Sequence, residues 1–138
     1  MGSSYLIVLA DDHAMVRRGI KKIIEDNPEL RIIAEVGDGL ELIDYLKKNP
    51  LPDMVIMDIA MPNMGGIEAT RKIKEKYPEI KVLILTMHNA TEYMSQALTV
   101  GASGYLLKHE VDEELFSAIS TIRRGDIYIC PLMRLFGS

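Results

Sequence analysis

Cysteine occurs once in this chain, at Cys130, and that scarcity closes off two kinds of chemistry. A single thiol forms no internal disulfide and no thiolate-bound metal centre, which fits a reducing cytosol. Cys130 itself reads as a small apolar filler. No apolar run approaches the roughly 20 residues that a membrane-spanning helix needs, and no secretory signal stands at the N-terminus. Basic charge is also in short supply. Lys and Arg number 16 against 20 Asp and Glu, for a net charge of -4. The chain therefore lacks the concentrated basic surface by which a protein grips nucleic acid unaided. Phosphate loops are missing too, with neither a Walker A pattern nor Gly-x-Gly-x-x-Gly. There is no internal repeat, low-complexity stretch or flexible linker.

What is present is an ordinary globular composition. The 138 residues are 48% hydrophobic and 26% charged, which suits one domain around one core. The opening Met1-Gly2-Ser3-Ser4 and the closing Gly137-Ser138 resemble cloning remnants, so a longer natural protein is expected.

Strand and helix signals alternate five times. Ile7, Val8 and Leu9 run into Asp11-Asp12, and Val16, Ile20, Ile23 and Ile24 then repeat at helical spacing until Asn27-Pro28. Ile32, Ile33, Ala34 and Val36 give a second strand, and Leu42, Ile43 and Leu46 a second helix. Met54 to Asp58 is the third strand, followed by a helix through Ile67, Thr70 and Ile73. Val82 to Leu85 ends in Thr86, ahead of a helix through Met94, Ala97 and Leu98. Gly104 to Leu107 precedes Lys108, and Leu115, Ala118, Ile119 and Ile122 mark the last helix, ended by Gly125. The strands are continuous apolar runs, the mark of a parallel sheet covered on both faces. Alternating strands and helices with short links predict a doubly wound α/β sheet. The domain is expected over residues 5–125, with 126–138 as a tail or the start of a linker.

Each polar residue that follows a strand would project from one edge of such a sheet. These are Asp11 and Asp12, Asp58, Thr86 and Lys108. Open α/β folds bind ligands at that edge. Carboxylates about 4 Å apart repel by about 4 kcal/mol at an effective dielectric of about 20. Such a cluster invites a hard cation with oxygen ligands, Mg²⁺ above all. The cation would polarise an incoming phosphoryl group. Lys108 would supply a point charge for its oxygens, Thr86 a hydroxyl, and Asp58 a carboxylate nucleophile that forms an acyl phosphate.

Taken singly, these residues have blander readings. Asp11-Asp12 could cap a helix, Asp58 could open a turn before Pro62 and Gly65-Gly66, Thr86 could be a cap and Lys108 a surface lysine. Their agreement as a set argues otherwise. His13, His88 and His109 show no metal-binding spacing and read as surface or loop residues. Met54, Met57, Met61 and Met64 read as packing. Arg17, Arg18, Lys21 and Lys22 form either a solvated helix face or a docking face.

From about Leu6 to about Gly125 the chain resembles the receiver domains of two-component response regulators. Asp11-Asp12, Asp58, Thr86 and Lys108 match the signature positions of that family in order. Met61-Pro62-x-Met64-x-Gly66 and Gly101-Ala102-x-Gly104-Tyr105-Leu106-Leu107-Lys108 match its flanking motifs. Asp11-Asp12-His13-x-Met15-Val16-Arg17-x-Gly19 is similar to the NarL/FixJ (LuxR-type) subfamily. The resemblance implies a flavodoxin-like, five-stranded parallel sheet of order 2-1-3-4-5 with helices on both faces. It implies that Asp58 accepts a phosphoryl group from a sensor histidine kinase. Mg²⁺ would be bound by Asp12, Asp58 and the Ala60 carbonyl, with Asp11 acting through metal-bound water. Thr86 and Lys108 would bind the phosphoryl oxygens, and Tyr105 would be the switch aromatic that swings inward as Thr86 moves. It further implies a cytoplasmic protein, a homodimer, and DNA contact only through a C-terminal helix-turn-helix domain that this chain does not include. Such a chain catalyses only its own phosphorylation and dephosphorylation.

Some positions depart from the commonest pattern. His109 stands where many receivers carry proline, which weakens the expectation of a cis Lys108-His109 bond, since a non-proline cis bond costs about 3 kcal/mol. Ala60 leaves the site open, whereas His88 could shield it. Three alternatives compete. One is a free-standing receiver that signals by protein contact. Another is an aspartyl-phosphate phosphatase on the same fold, which calls for a general acid where Ala60 stands. The third is a flavin carrier, which wants a Gly/Ser/Thr-rich loop where Asp11-Asp12 stand.

Overall fold

The computed structural model describes residues 4–87 and 91–131. The apolar runs become strands β1 (Tyr5–Ala10), β2 (Leu30–Val36), β3 (Met54–Asp58), β4 (Lys81–Thr86), β5 (Gly104–Leu107) and β6 (Tyr128–Ile129). Between them lie helices α1 (Ala14–Glu25), α2 (Gly39–Lys48), α3 (Gly66–Lys76), α4 (Thr91–Thr99) and α5 (Val111–Arg123). A single 3₁₀ turn over Lys108–Glu110 joins β5 to α5.

The strands form one parallel sheet of order β2-β1-β3-β4-β5-β6. The expected order 2-1-3-4-5 holds, with a sixth strand added beyond β5. β3 and β5 are buried at every residue, which is why their sequences are continuous apolar runs and not alternating ones. α1 and α5 touch each other on one face, while α2, α3 and α4 pack in succession on the other. Ile20 and Ile24 of α1 and Leu115, Ala118, Ile119 and Ile122 of α5 supply buried stripes at helical spacing. Met54 and Met57 are core, and Met61 and Met64 pack against it, as the sequence suggested.

Strand order reverses direction between β1 and β3, so a crevice opens at their C-terminal ends. Two local devices shape it. Gly66 starts α3 so close to the end of β3 that a Cβ there would lie 2.5 Å from the Asp58 carbonyl oxygen. Its N–H donates to Ile59 O at 2.9 Å. Asn63 adopts the left-handed conformation (φ 65), which asparagine tolerates. Its Nδ2 donates to Asp38 Oδ2 at 2.8 Å, while Asp38 Oδ1 caps α2 by accepting from Glu41 N–H. The loop after Asp58 is thereby tied to the start of α2.

β6 lies in the segment expected to be a tail. The outer edge of β5 presents carbonyls that need donors. Tyr128 N–H donates to Ser103 O at 2.9 Å and Cys130 N–H to Tyr105 O at 3.1 Å. The Tyr128 hydroxyl donates to Glu114 Oε1 on α5. Cys130 is fully buried, in keeping with its reading as filler. None of the described peptide bonds is cis.

Candidate functional site

β1 ends in Ala10 and delivers Asp11 to the crevice, and β3 ends in Asp58 beside it. Both acids are buried, at 0% and 2% exposure. From the far side β5 delivers Lys108, whose side chain is 6% exposed. Its Nζ stands 3.1 Å from Asp11 Oδ2 and 3.0 Å from Asp58 Oδ2. One ammonium is thus shared between two buried carboxylates. Neither of those oxygens accepts a hydrogen bond of regular geometry among the described residues. The other oxygens are better served. Asp11 Oδ1 accepts from His13 N–H at 2.8 Å, and Asp58 Oδ1 accepts from Ala60 N–H at 3.2 Å. Asp12 sits at the rim with a 37% exposed side chain.

Electrostatics follow from this packing. Burial pushes the Asp58 carboxyl above the ordinary carboxylate range, and neighbouring Asp11 pushes it further, against the pull of Lys108 and Ala60 N–H. Asp11, Asp12 and Asp58, with His13, offer ligand atoms that all lie within 4.8 Å of one another. Lys108 faces Asp11 and Asp58 alone, so the three clustered carboxylates outnumber the one ammonium beside them. The under-bonded Asp11 and Asp58 oxygens and the oxygen-rich donor set fit a hard cation.

Thr86 closes β4 directly beside β3, in register with Leu107. It is fully buried, and its hydroxyl shares a hydrogen bond with the Tyr105 phenol. Burial raises the Tyr105 pKa and this bond offsets part of the rise. The Tyr105 ring is already inside, at 0% exposure. The sequence-predicted residues thus fall into two groups at the same end of the sheet. Asp11, Asp12, Asp58, Ala60 and Lys108 form the charged pocket, and Thr86 and Tyr105 form the adjoining hydroxyl pair. His88 lies outside the described residues.

Two contributors escaped the sequence reading. His13 is an exposed loop residue, as expected, yet its Nδ1 stands at the rim of the pocket, 3.1 Å from Asp11 Oδ1 and 3.2 Å from Asp12 Oδ1. Arg17, expected on a solvated or docking face, donates from Nη1 to the Asp11 carbonyl at 2.8 Å and braces the loop. The available signal was adjacency: His13 directly follows the acidic pair and is the N-cap of α1, which puts its ring within reach of them.

A charged pocket at the switch point of a 2-1-3-4-5 parallel sheet defines a receiver domain. The family model described as "Response regulator receiver domain" matches residues 7–120, and the chain belongs to that family. It is a receiver of the NarL/LuxR type, a signalling domain in kind. It is 44% identical over 128 residues to "Oxygen regulatory protein NreC" of Staphylococcus carnosus (strain TM300), covering 92% of this chain and 58% of that protein. It is 40% identical over 125 residues to "Transcriptional regulatory protein DegU" of Brevibacillus brevis, covering 91% of this chain and 52% of that one. A crystal structure of a LuxR-family two-component response regulator from Aurantimonas sp. SI85-9A1 superposes with a TM-score of 0.90 at 37% identity, covering 96% of this chain and 94% of that one. The chain spans about half the length of the curated relatives it matches. No described helix is long and apolar enough to cross a membrane.

Proposed function

We propose that Asp58 is the phosphoryl acceptor of this receiver and that a sensor histidine kinase is its donor. The observation that carries this is the Lys108 ammonium held 3.1 and 3.0 Å from two buried carboxylates at the sheet's switch point. A structural salt bridge needs one acid; a second buried beside it is unfavourable unless the site serves a charged ligand.

Mg²⁺, when bound, would screen the carboxylates and polarise the phosphoryl group. Asp12 and Asp58 side chains and the Ala60 carbonyl would hold it, with Asp11 reaching it through water. An Asp58 oxygen attacks phosphorus, the P–N bond of the donor phosphohistidine breaks, and the imidazole keeps the electron pair. The product is an acyl phosphate on Asp58. Lys108 shifts from the carboxylates to the phosphoryl oxygens, and Thr86 donates its hydroxyl to them. Because Thr86 is bonded to Tyr105, any movement of Thr86 is felt at β5. The protein turns over only its own phosphoryl group. Ala60 offers no general acid for a dedicated phosphatase.

In this reading residues 5–125 are the receiver, and the segment from 126 leads through β6 into a linker. We further propose that it controls a cytoplasmic DNA-binding output domain as a homodimer, a reading supported by relatives nearly twice as long, one of them named a transcriptional regulatory protein. Incubation with Mg²⁺ and acetyl phosphate, read by intact mass, should give a single phosphate adduct. The adduct should disappear in Asp58→Asn, and equal labelling of that variant would overturn the assignment.

A further inference from the structure

We infer that His13 is a built-in nitrogen ligand of the cation site, so that the site takes nitrogen-accepting transition-metal dications more tightly than its oxygen donors alone would. This rests on the proposed cation site and adds a residue to it.

His13 Nδ1 faces three different carboxylates at once, with oxygens of Asp11 at 3.1 Å, Asp12 at 3.2 Å and Asp58 at 3.7 Å. That is the place where one positive centre could meet all three. The side chain is 59% exposed, with Nδ1 in hydrogen-bond reach of Asp11 Oδ1, while the backbone beneath it is fixed. His13 is in extended conformation (φ -100, ψ 108) as the N-cap of α1. Its N–H donates to Asp11 Oδ1 at 2.8 Å, and its carbonyl accepts from Arg17 N–H at 3.1 Å. The main chain is thus pinned on both sides, and only side-chain rotation is left to the imidazole.

A second, independent observation points to a ligand. Asp11 Oδ2 and Asp58 Oδ2 are buried and accept no hydrogen bond of regular geometry among the described residues, and the single Lys108 ammonium, 3.1 and 3.0 Å away, is shared between them, so two buried carboxylates face one positive charge. Four potential donors, three carboxylates and one imidazole, have ligand atoms within 4.8 Å of one another. Mg²⁺ favours oxygen donors and keeps several waters. Imidazole suits Ni²⁺, Co²⁺ and Zn²⁺, and affinity for such sites rises along the Irving–Williams order. A mixed nitrogen and carboxylate pocket therefore gains selectively toward those metals. The Nδ1 lone pair forms the bond to the metal, with the ring proton on Nε2, and no oxidation is involved.

Calorimetric titration of the chain with MgCl₂ and with NiCl₂ tests this in wild type, His13→Ala and His13→Gln. Ni²⁺ should weaken about tenfold or more in both variants, while Mg²⁺ affinity changes less than about threefold. In Asp12→Asn both cations should weaken. Equal Ni²⁺ affinity in wild type and both His13 variants would overturn the inference, as would parallel loss of Mg²⁺ and Ni²⁺ on His13→Ala. Failure of the phosphoacceptor reading looks different: the Ni²⁺ loss appears, yet no phosphate adduct forms on Asp58.

Discussion

The two ends of the same sheet treat acidic residues in opposite ways. At the N-terminal end Asp53 accepts the Leu6 N–H on Oδ2 at 2.8 Å. Its own N–H donates to Leu6 O at 2.8 Å, and its carbonyl accepts from Lys81 N–H at 3.0 Å. Nearby, Arg123 stacks on the Tyr5 ring with its Cζ 4.6 Å from the centroid and pairs with Glu29 at 3.0 Å. These are acids with donors and cations with partners, near solvent. At the C-terminal end two buried carboxylates share one ammonium and each leaves an oxygen under-bonded. The lower end is built for stability, whereas the upper end gives some stability up so that a charged ligand can restore it.

The sharpest way to break this comparison is to remove the shared cation. Lys108→Ala should lower stability by about 3 kcal/mol, since a buried acid pair is left without its partner. Thermal melts would read this, and Mg²⁺ should recover much of the loss. Next in size is the metal itself. At about 100 times its dissociation constant, Mg²⁺ should stabilise wild type by about 2.7 kcal/mol. That gain should vanish in Asp12→Asn.

Smaller effects should differ in sign between the ends. Asp58 titrates above the ordinary carboxylate range in the folded chain. The folded state therefore binds more protons there than the unfolded state. This group's penalty is full at neutral pH and is relieved as pH falls through its raised folded pKa toward the unfolded value. Asp58→Asn in metal-free buffer should accordingly raise the melting midpoint at neutral pH, with the gain shrinking as pH falls. Asp53→Ala should lower stability by about 1 kcal/mol through the loss of the Leu6 acceptor. Arg123→Ala should be smallest, at about 0.5–1 kcal/mol, because its ring contact and ion pair are near the surface. If Asp58→Asn and Asp53→Ala both destabilise, the contrast between the ends fails.

Most of the site was legible because it sits where periodicity changes. Asp58 stands out as a carboxylate closing a run buried at every residue, and Lys108 as a cation closing β5. Parallel topology then carries residues 11, 58 and 108 to one edge regardless of their separation. What was not legible depends on orientation or on a neighbour's needs. β6 is two residues long and exists because β5 leaves an open edge, so Tyr128-Ile129 could not announce it alone. His13 was set aside because its histidine spacing was wrong, yet its partners are the two aspartates immediately before it. The inward position of Tyr105, beside the Thr86 hydroxyl, is likewise a rotamer choice.

The most direct test is the position of the phosphoryl group. After reaction with acetyl phosphate and Mg²⁺, borohydride reduction converts a phosphorylated aspartate to homoserine, which peptide mass spectrometry locates. The account requires homoserine at position 58 and aspartate retained at 11 and 12. Homoserine at 11 or 12, with Asp58 unchanged, would contradict it.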